Sequence, residues 1–290
     1  MVHLDPGRGH VCNLRRAASI TLEESLICPS FENLNIGNRS ELTAALKELA
    51  TSSGLMRQKR WSVALPEVTT RAVILTLESK PGSNSELEEI LTWKSERTFG
   101  VSLEELTISR ERLPPDAQQR DRFMVIAART SVLEEYESIC AALGWRAGLI
   151  LPRHRGEAEW LTRNGSSGDA LLLTSFEEGF TAVVIRDKQP LILRTVYCEA
   201  QEREDELYRL LLFYRDRRSG EVAEPLEPLA RLLVIGEDFN KARAREIVNE
   251  TLQTDLRPLD ATDLGLQIPS RDLNFDNLAA PAGLATLSWR

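Results

Sequence analysis

The stretch DALLLTSFEEGFTAVVIRDKQPLILRT, residues 169–195, decides the fold of the second half of the chain. It opens with an apolar run typical of a buried strand, reaches a tight turn, and continues as two further strands. We therefore expect three consecutive strands, with a turn around Thr174–Phe176. A strand-turn-strand unit of this kind raises the question of whether the turn holds a phosphate.

Strand and helix patterns alternate along the rest of the chain. Leu42, Leu46 and Leu49 recur at helical spacing after Asn38, a residue suited to an N-cap. Serines followed three residues later by glutamate suggest two further helix starts, Ser85 with Glu88 and Ser131 with Glu134. Helices are predicted at Arg39–Ser52, after Ser85, after Ser131, from Gln201 and from about Asn240 to Leu252. The sequence thus predicts a mixed α/β protein.

Composition limits the class of protein. The chain has 290 residues, enough for one large or two ordinary domains. Its net charge of −8 opposes binding to phosphate backbones, so we expect no nucleic-acid partner. No apolar run is long enough for a membrane span, and no signal peptide is visible. The cysteines are far apart and form no Cys-x-x-Cys pair, which favours a reducing compartment, by default the cytoplasm: Cys12, Cys28, Cys140 and Cys198.

Catalytic and metal-binding patterns are weak. The histidines His3, His10 and His154 lack metal-ligand spacing, and no Gly-x-Ser-x-Gly elbow is present. The acidic run at residues 199–206 is more typical of a solvated helix start than of a metal site. We therefore predict neither an acyl-transfer triad nor a metal site.

A series of short motifs between Trp61 and Pro152 resembles one known family. In order they read VALP, AVILTLES, ELEEILTWKSE, FGVSLEEL and VIAARTSVLEEY. Their order and spacing resemble the PilM family of type IV pilus assembly proteins, and a weaker match extends over most of the chain. Trp93, within the third motif, is expected to anchor its helix to the sheet.

The resemblance implies an actin-like (ribonuclease H-like) α/β fold with two lobes, as in the cell-division protein FtsA. A small α+β subdomain would be inserted into the first lobe, and the subdomain that closes over adenine would be missing. The expected division is a first core lobe of residues 1–65 and 147–165, an inserted subdomain of residues 66–146, and a second core lobe of residues 166–290.

Three loops of such a fold normally hold ATP, and the resemblance implies that all three are degenerate here. The first reads LDPGRGHVC, which keeps Asp5 and Gly7 but has Cys12 at the lysine position. The third reads VIGEDF and keeps only Gly236.

The second loop reads LLLTSFEEGF and departs furthest from the pattern. Thr174 stands where an aspartate should organise the metal, and Phe176 where a glycine should let backbone N–H groups approach phosphate. Each lost charge-assisted contact removes about 1.5–3 kcal/mol. We expect no cofactor and no ATPase activity, since ATP and Mg²⁺ would fit only if this loop aligned differently.

The function implied by the resemblance is that of a cytoplasmic scaffold peripheral to the inner membrane. It would bind the N-terminal tail of a PilN-like inner-membrane protein and contact the membrane only through that partner. Self-association would be compatible with this role. The expected groove involves Leu65, Pro66, Val68, Thr70 and Arg71. Two alternatives stay open: an ATP-binding actin-like protein, and the cytoplasmic domain of a type II secretion L-type protein.

Overall fold

The computed structural model describes residues 1–163, 168–219, 228–270 and 273–289 of the chain. Strands and helices alternate, as the sequence predicts. The strands are β1 (Val2–Pro6), β2 (Cys12–Ala17), β3 (Arg60–Leu65), β4 (Arg71–Thr76), β5 (Leu106–Leu113), β6 (Arg122–Arg129), β7 (Arg146–Pro152), β8 (Asp169–Phe176), β9 (Gly179–Arg186), β10 (Gln189–Tyr197), β11 (Leu229–Ile235) and β12 (Leu266–Gln267). The helices are α1 (Arg39–Ser52), α2 (Asn84–Phe99), α3 (Thr130–Ala142), α4 (Arg153–Arg163), α5 (Arg203–Ser219), α6 (Lys241–Leu252) and α7 (Phe275–Leu287).

The sheet of the second lobe has the strand order β10-β9-β8-β11. Its first three strands are antiparallel neighbours joined by hairpins, and β11 lies parallel to β8. Leu171 and Leu173 pack into a core with α5 and α6, while Ala170 and Leu172 pack into a core with α4 and α7. Both faces of β8 are thus covered, which explains its continuous apolar sequence.

Helices α4 and α7 cross at very short range beneath this sheet. A Cβ atom built on Gly283 would lie 1.8 Å from the backbone oxygen of Gly156, so only glycine fits at the crossing. The indole of Trp160 is fully buried beside the crossing and donates a 2.8 Å hydrogen bond to the carbonyl of Ala279. The pair α4–α7 therefore forms a rigid support between the two lobes.

The first lobe contains two separate sheets. One has the order β1-β2-β12, and the other is the parallel pair β3-β7. Helix α7 packs against both β1 and β3. On the opposite face, Trp145 and residues of α1 and α3 form a small core that also receives Met1, Trp61 and Val63.

A small α+β unit lies between β3 and β7 in the chain, where the insertion of residues 66–146 is expected. It contains the antiparallel sheet β4-β6-β5, with α2 packed on it through Leu91, Leu75 and Phe123. Helix α3 follows β6 and packs against α1 and β7. The predicted border between residues 165 and 166 lies outside the described residues.

Two predicted helix starts need correction in the fold. Helix α2 is capped by Ser83, whose hydroxyl accepts from the backbone N–H of Glu86, and not by Ser85. Helix α3 starts directly after β6 at Thr130 and has no side-chain cap, so Ser131 does not begin it. Helix α7, which the division into lobes assigned to residues 166–290, packs on β1, β3 and α4.

The connection between β10 and α5 is short. The connection consists of residues 198–202, which include a single 3-10 turn at Ala200–Glu202. This agrees with the expected absence of a lid subdomain at this point of the fold. Within the described ranges, no helix has both the length and the apolarity needed to cross a bilayer.

Candidate functional site

The first candidate loop is the turn between β1 and β2. Asp5 forms a 2.5 Å ion pair with Arg15, and the backbone N–H of Gly7 donates to the carbonyl of Val11 at 2.9 Å. Cys12 is fully buried in the central core, and burial raises the pKa of its thiol. The position expected to carry a phosphate-binding lysine thus holds an inert apolar side chain.

The second candidate loop has a different position from the one predicted. Thr174, Ser175 and Phe176 are the last residues of β8, and the turn is formed by Glu177 and Glu178. The hydroxyl of Thr174 is buried and donates a hydrogen bond to Glu157 on α4. Phe176 is 8% exposed and its ring meets the edge of Tyr197. Neither side chain is free to contact a ligand.

The third candidate loop follows β11 and packs directly on the second. Gly236 has a positive φ of 105°, and a Cβ there would lie 2.2 Å from the hydroxyl oxygen of Ser175. That hydroxyl accepts a 3.2 Å hydrogen bond from the backbone N–H of Asp238. Glycine is therefore needed here for close packing of the two loops.

Arg203, the first residue of α5, ties these loops together. Its guanidinium donates to the carbonyls of Phe176 at 3.1 Å, Glu177 at 2.8 Å and Asp238 at 2.7 Å. The side chain is almost completely buried. Because one cation satisfies carbonyls of both loops, the space between them is closed by the protein itself.

A buried chain of hydrogen bonds joins three parts of the molecule. Glu67, at the start of the insertion, contacts Nδ1 of His154 on α4 at 2.6 Å. The hydroxyl of Thr181 on β9 donates to the same carboxylate at 2.8 Å and lies 3.0 Å from the hydroxyl of Thr195 on β10. The insertion, the first lobe and the second lobe thus meet in one polar contact.

A second buried carboxylate lies beside this chain. Glu157 is fully buried and pairs with Arg153 at 2.9 Å, besides accepting from Thr174. The guanidinium of Arg153 is also attracted electrostatically by the carboxylate of Glu67. The two carboxylates therefore share one guanidinium between them.

The surroundings of Glu67 and Glu157 shift the pKa values of the two carboxyl groups in opposite directions. Burial acts to raise the pKa of Glu67, but the charge and hydrogen bond of His154 outweigh it, with help from Thr181, and lower the pKa. Burial raises the pKa of Glu157, and Arg153 and Thr174 offset only part of that rise. We conclude that Glu67 is held ionised.

Other ligand chemistries have little support in the described ranges. No group of three or more His, Cys, Asp or Glu residues there is arranged to hold a metal ion. The predicted absence of a cofactor remains a prediction.

The expected groove residues are only partly accessible. Leu65 is 1% exposed and Thr70 is 6% exposed, so these two contribute little to a binding surface. Pro66, Val68 and Arg71 are half-buried. The guanidinium of Arg71 lies 5.1 Å from the ring centre of Phe31 and 5.3 Å from that of Tyr197. Arg71 therefore joins the insertion to the end of β10.

A cavity of about 730 Å³ lies between β1 and β3. Residues 1–4 and 60–66 form its sides, α1 and α3 line one face, and α7 lines the other. Its volume falls in the range of about 300–1,000 Å³ that is common for ligand sites. We call it the β1–β3 slot. The predicted groove residues Leu65 and Pro66 border one end of it.

The sequence analysis did not identify the residues that close the loops. Arg203 was read as part of a solvated acidic helix start, and Glu67 and Glu157 were not singled out. Their partners lie far away in the sequence, since Glu67 meets residues 87 and 114 positions further on. The signal that could have identified Glu67 is its position in the mainly uncharged turn LPEVTT. A carboxylate buried in such a turn requires a hydrogen-bonding or charged partner.

No protein-family model matches the sequence, and no curated protein matches it significantly. Among solved structures, the chain is similar to PilM in the PilM–PilN type IV pilus biogenesis complex, with a TM-score of 0.72 and 16% identity. The match covers 98% of this chain and 92% of the other. The chain has the PilM fold.

Two further structures match at lower TM-scores. One is a protein of actin-like ATPase fold and unknown function from Bacteroides thetaiotaomicron (TM-score 0.46, 13% identity, 86% of this chain and 84% of that one). The other is the cytoplasmic domain of EpsL, an inner-membrane component of the type II secretion system of Vibrio cholerae (TM-score 0.43, 16% identity, 73% of this chain and 81% of that one). The expected actin-like α/β fold, in its PilM form, is confirmed by the match to PilM at a TM-score of 0.72.

Proposed function

We propose that this protein is a scaffold of a type IV pilus or related secretion machine, acting on the cytoplasmic side of the inner membrane. It binds the N-terminal tail of a PilN-like inner-membrane protein and has lost nucleotide binding. The main support is the PilM fold over nearly the whole chain, in a structure solved as a complex with PilN.

Loss of nucleotide binding is supported by the contacts of the three loops. The hydroxyl of Thr174 is used by Glu157, and the carbonyls of the second and third loops are used by Arg203. Four hydrogen bonds, one from Thr174 and three from Arg203, therefore already hold these loops, and a nucleotide entering between them would have to break them. Breaking them to admit a ligand would expose buried charge, at a cost of several kcal/mol.

The surface that supports partner binding is the junction of the insertion with the first lobe. Pro66 and Val68 present half-buried apolar side chains there, and Arg71 supplies a cation beside them. A short apolar tail with one hydrogen-bonding or acidic group would suit such a surface.

The partner is tested with a synthetic peptide. The N-terminal tail of the PilN-like protein from the same organism is labelled with fluorescein and titrated with purified protein, and anisotropy is measured. Val68→Glu should weaken binding by about tenfold or more, because it buries a charge in an apolar contact. Lys80→Glu, an exposed change of charge elsewhere in the insertion, serves as the matched control. If the tail does not bind, or binds both variants like the wild type, partner binding at this surface is wrong.

Nucleotide binding is tested separately by calorimetry with Mg-ATP and Mg-ADP. A ligand at 100 times its Kd would add about 2.7 kcal/mol of stability and several degrees to Tm. We expect neither heat nor a Tm shift at millimolar nucleotide. Nucleotide binding with a micromolar Kd would instead show that the protein is an ATP-dependent scaffold, even if the tail binds as proposed.

A further inference from the structure

The guanidinium of Arg71 lies over two aromatic rings that come from different parts of the molecule. Its central carbon is 5.1 Å from the ring centre of Phe31, in the first lobe, and 5.3 Å from that of Tyr197, at the end of β10 in the second lobe. Arg71 itself is the first residue of β4, in the insertion. We call these three residues the stacked arginine site. Each of the three parts of the protein contributes one residue to it.

The guanidinium of Arg71 has no polar partner. Among the residues that the structure describes, none forms a hydrogen bond or an ion pair with it. Arg129, on the neighbouring strand β6, differs, because it pairs with Glu32 at 2.6 Å and with Glu105 at 2.5 Å. Aromatic rings contact the flat faces of a guanidinium and leave the N–H groups in its plane without an acceptor. The N–H groups of Arg71, which is half-buried, are therefore available to a ligand.

Both rings are held in place by the protein. Phe31 is 3% exposed and packs on the sheet of the insertion. Its loop is fixed by the buried side chain of Asn35, whose carbonyl oxygen accepts a 2.9 Å hydrogen bond from the hydroxyl of Thr69. Tyr197 meets the ring of Phe176, with 5.8 Å between the two ring centres. The site is thus formed before a ligand arrives, which reduces the conformational entropy lost on binding.

The charges near the site favour a ligand with one negative charge. Burial raises the pKa of Tyr197, and the charge of Arg71 acts to lower it. The charges of Glu67 and Glu178 act on the same phenol, so both glutamates lie near the site. Arg71 supplies one positive charge, whereas a phosphate group carries about two negative ones. A single carboxylate matches the guanidinium in charge and can accept two parallel hydrogen bonds from it.

The surface next to the site is apolar. Pro66 and Val68 precede Arg71 by a few positions and are half-buried. A ligand whose carboxylate binds Arg71 would therefore place a neighbouring apolar group on these two side chains. An acidic residue beside an apolar residue in a peptide has both groups at the required spacing.

We propose that the stacked arginine site binds the side-chain carboxylate of an acidic residue in the tail of the membrane partner. This inference rests on the proposed function and adds the chemical group that Arg71 recognises. Because Phe31 and Tyr197 belong to different lobes, the affinity for the carboxylate depends on how the two lobes and the insertion are arranged. Tail binding and this arrangement are therefore thermodynamically linked.

The probes are the fluorescein-labelled N-terminal tail of the PilN-like protein from the same organism and a series of amide tails. In each amide tail, one aspartate or glutamate is replaced by asparagine or glutamine. Anisotropy is measured with the purified full chain. We expect one amide tail to bind about tenfold or more weakly than the unchanged tail, because it loses a charge-assisted pair of hydrogen bonds.

Variants of Arg71 identify the group that the carboxylate contacts. Arg71→Met should weaken the unchanged tail by about tenfold or more and should leave the affinity for the weak amide tail as it is in the wild type. Arg71→Lys keeps the charge but not the planar fork, and should fall between the two. Arg112→Met is the matched control, because Arg112 lies on β5 of the same insertion and makes an exposed ion pair with Asp121. Circular dichroism verifies that each variant is folded.

The link to the second lobe is tested at Tyr197. Tyr197→Leu removes the ring and should weaken the unchanged tail by about threefold, whereas Tyr197→Phe keeps the ring and should bind like the wild type. Bound tail should also slow hydrogen exchange of the amides of residues 194–197 by about tenfold in the wild type, but not in Arg71→Met.

The outcomes separate this inference from the proposed function. If the tail binds in a Val68-dependent manner but no amide tail differs from it, or if the tail contains no acidic residue, tail binding stands and the carboxylate proposal is wrong. If Arg71→Met weakens every tail equally, the guanidinium binds another acceptor, such as a backbone carbonyl. Wild-type affinity in Tyr197→Leu would refute the link to the second lobe. If the tail does not bind at all, the proposed function and this inference are both wrong.

Discussion

Replacing Arg203 with methionine should loosen the junction between the second and third loops. Methionine keeps the apolar stem of the side chain and removes the guanidinium that donates to Phe176, Glu177 and Asp238. The fold around it has no other cation that contacts the same carbonyls among the described residues. The variant therefore isolates the contribution of these three hydrogen bonds.

The expected loss follows from the burial of the acceptors. A hydrogen bond from a charged donor contributes about 1.5–3 kcal/mol. Phe176 is buried, so its carbonyl loses this interaction without compensation, whereas Glu177 and Asp238 are exposed and water replaces the donor there. We expect a decrease of about 2–4 kcal/mol in the free energy of unfolding.

The assay is urea denaturation followed by circular dichroism, with linear extrapolation to water. Arg209→Met, on the same helix, is the control because Arg209 makes only an exposed ion pair with Glu206, worth below about 1 kcal/mol. Arg203→Lys keeps the charge without the planar fork and should fall between the two. If Arg203→Met matches Arg209→Met, the guanidinium does not hold the loops together.

Four other changes are expected to have defined effects on the free energy of unfolding. Gly236→Ala should cost about 1–3 kcal/mol in urea denaturation, and adding Ser175→Gly should recover part of it, because the new Cβ meets that hydroxyl. Glu67→Gln should make the free energy of unfolding depend less on pH in acid. Burial acts to raise the pKa of Glu67, but its hydrogen-bond and charge partners lower it below the ordinary 4.5. The stabilisation by ionised Glu67 is therefore complete above pH 4.5 and is lost as the pH falls through the lowered pKa. Glu157→Gln should gain stability relative to the wild type as the pH rises from 4.5 toward neutral, because burial raises the pKa of Glu157 and its contribution fades in that direction. Trp93→Ser should change Tm by less than about 2 °C, since the indole is 56% exposed.

The strands of the second lobe were predictable because their signals are local. β8, β9 and β10 follow one another within residues 169–197, and each is an apolar or β-branched run between turn residues. The helix at Arg39–Ser52 was also predicted to the residue, with Asn38 as its cap. Propensity, periodicity and pairing with the next element agree in these regions.

Helix α7 was not predicted, for a physical reason. Pro281 and Gly283 lie inside it, and both weaken a helical pattern. The helix is stabilised by its close crossing with α4, where Gly283 permits the backbones to approach. A contact between residues so far apart in sequence leaves no local trace.

Trp93 shows the opposite error. It lies at a helical position among apolar residues and was expected to anchor α2 to its sheet, yet its ring is exposed beside Arg97, 5.3 Å from the guanidinium carbon. Leu91, two residues earlier, is the residue that packs into the core. Periodicity located the helix but did not fix which side faces the sheet.

The separation of β3 from β7 in the chain has a consequence for folding on the ribosome. β1 and β2 are joined by a short turn and can pair as soon as both have been made, whereas β3 pairs with β7, which follows the whole insertion. At about 5–20 residues per second, residues 66–145 take several seconds to synthesise. During that interval the nascent chain exposes the half-apolar strand RWSVAL with both edges free. Slow translation of the insertion should therefore change the yield of soluble protein more than its final stability.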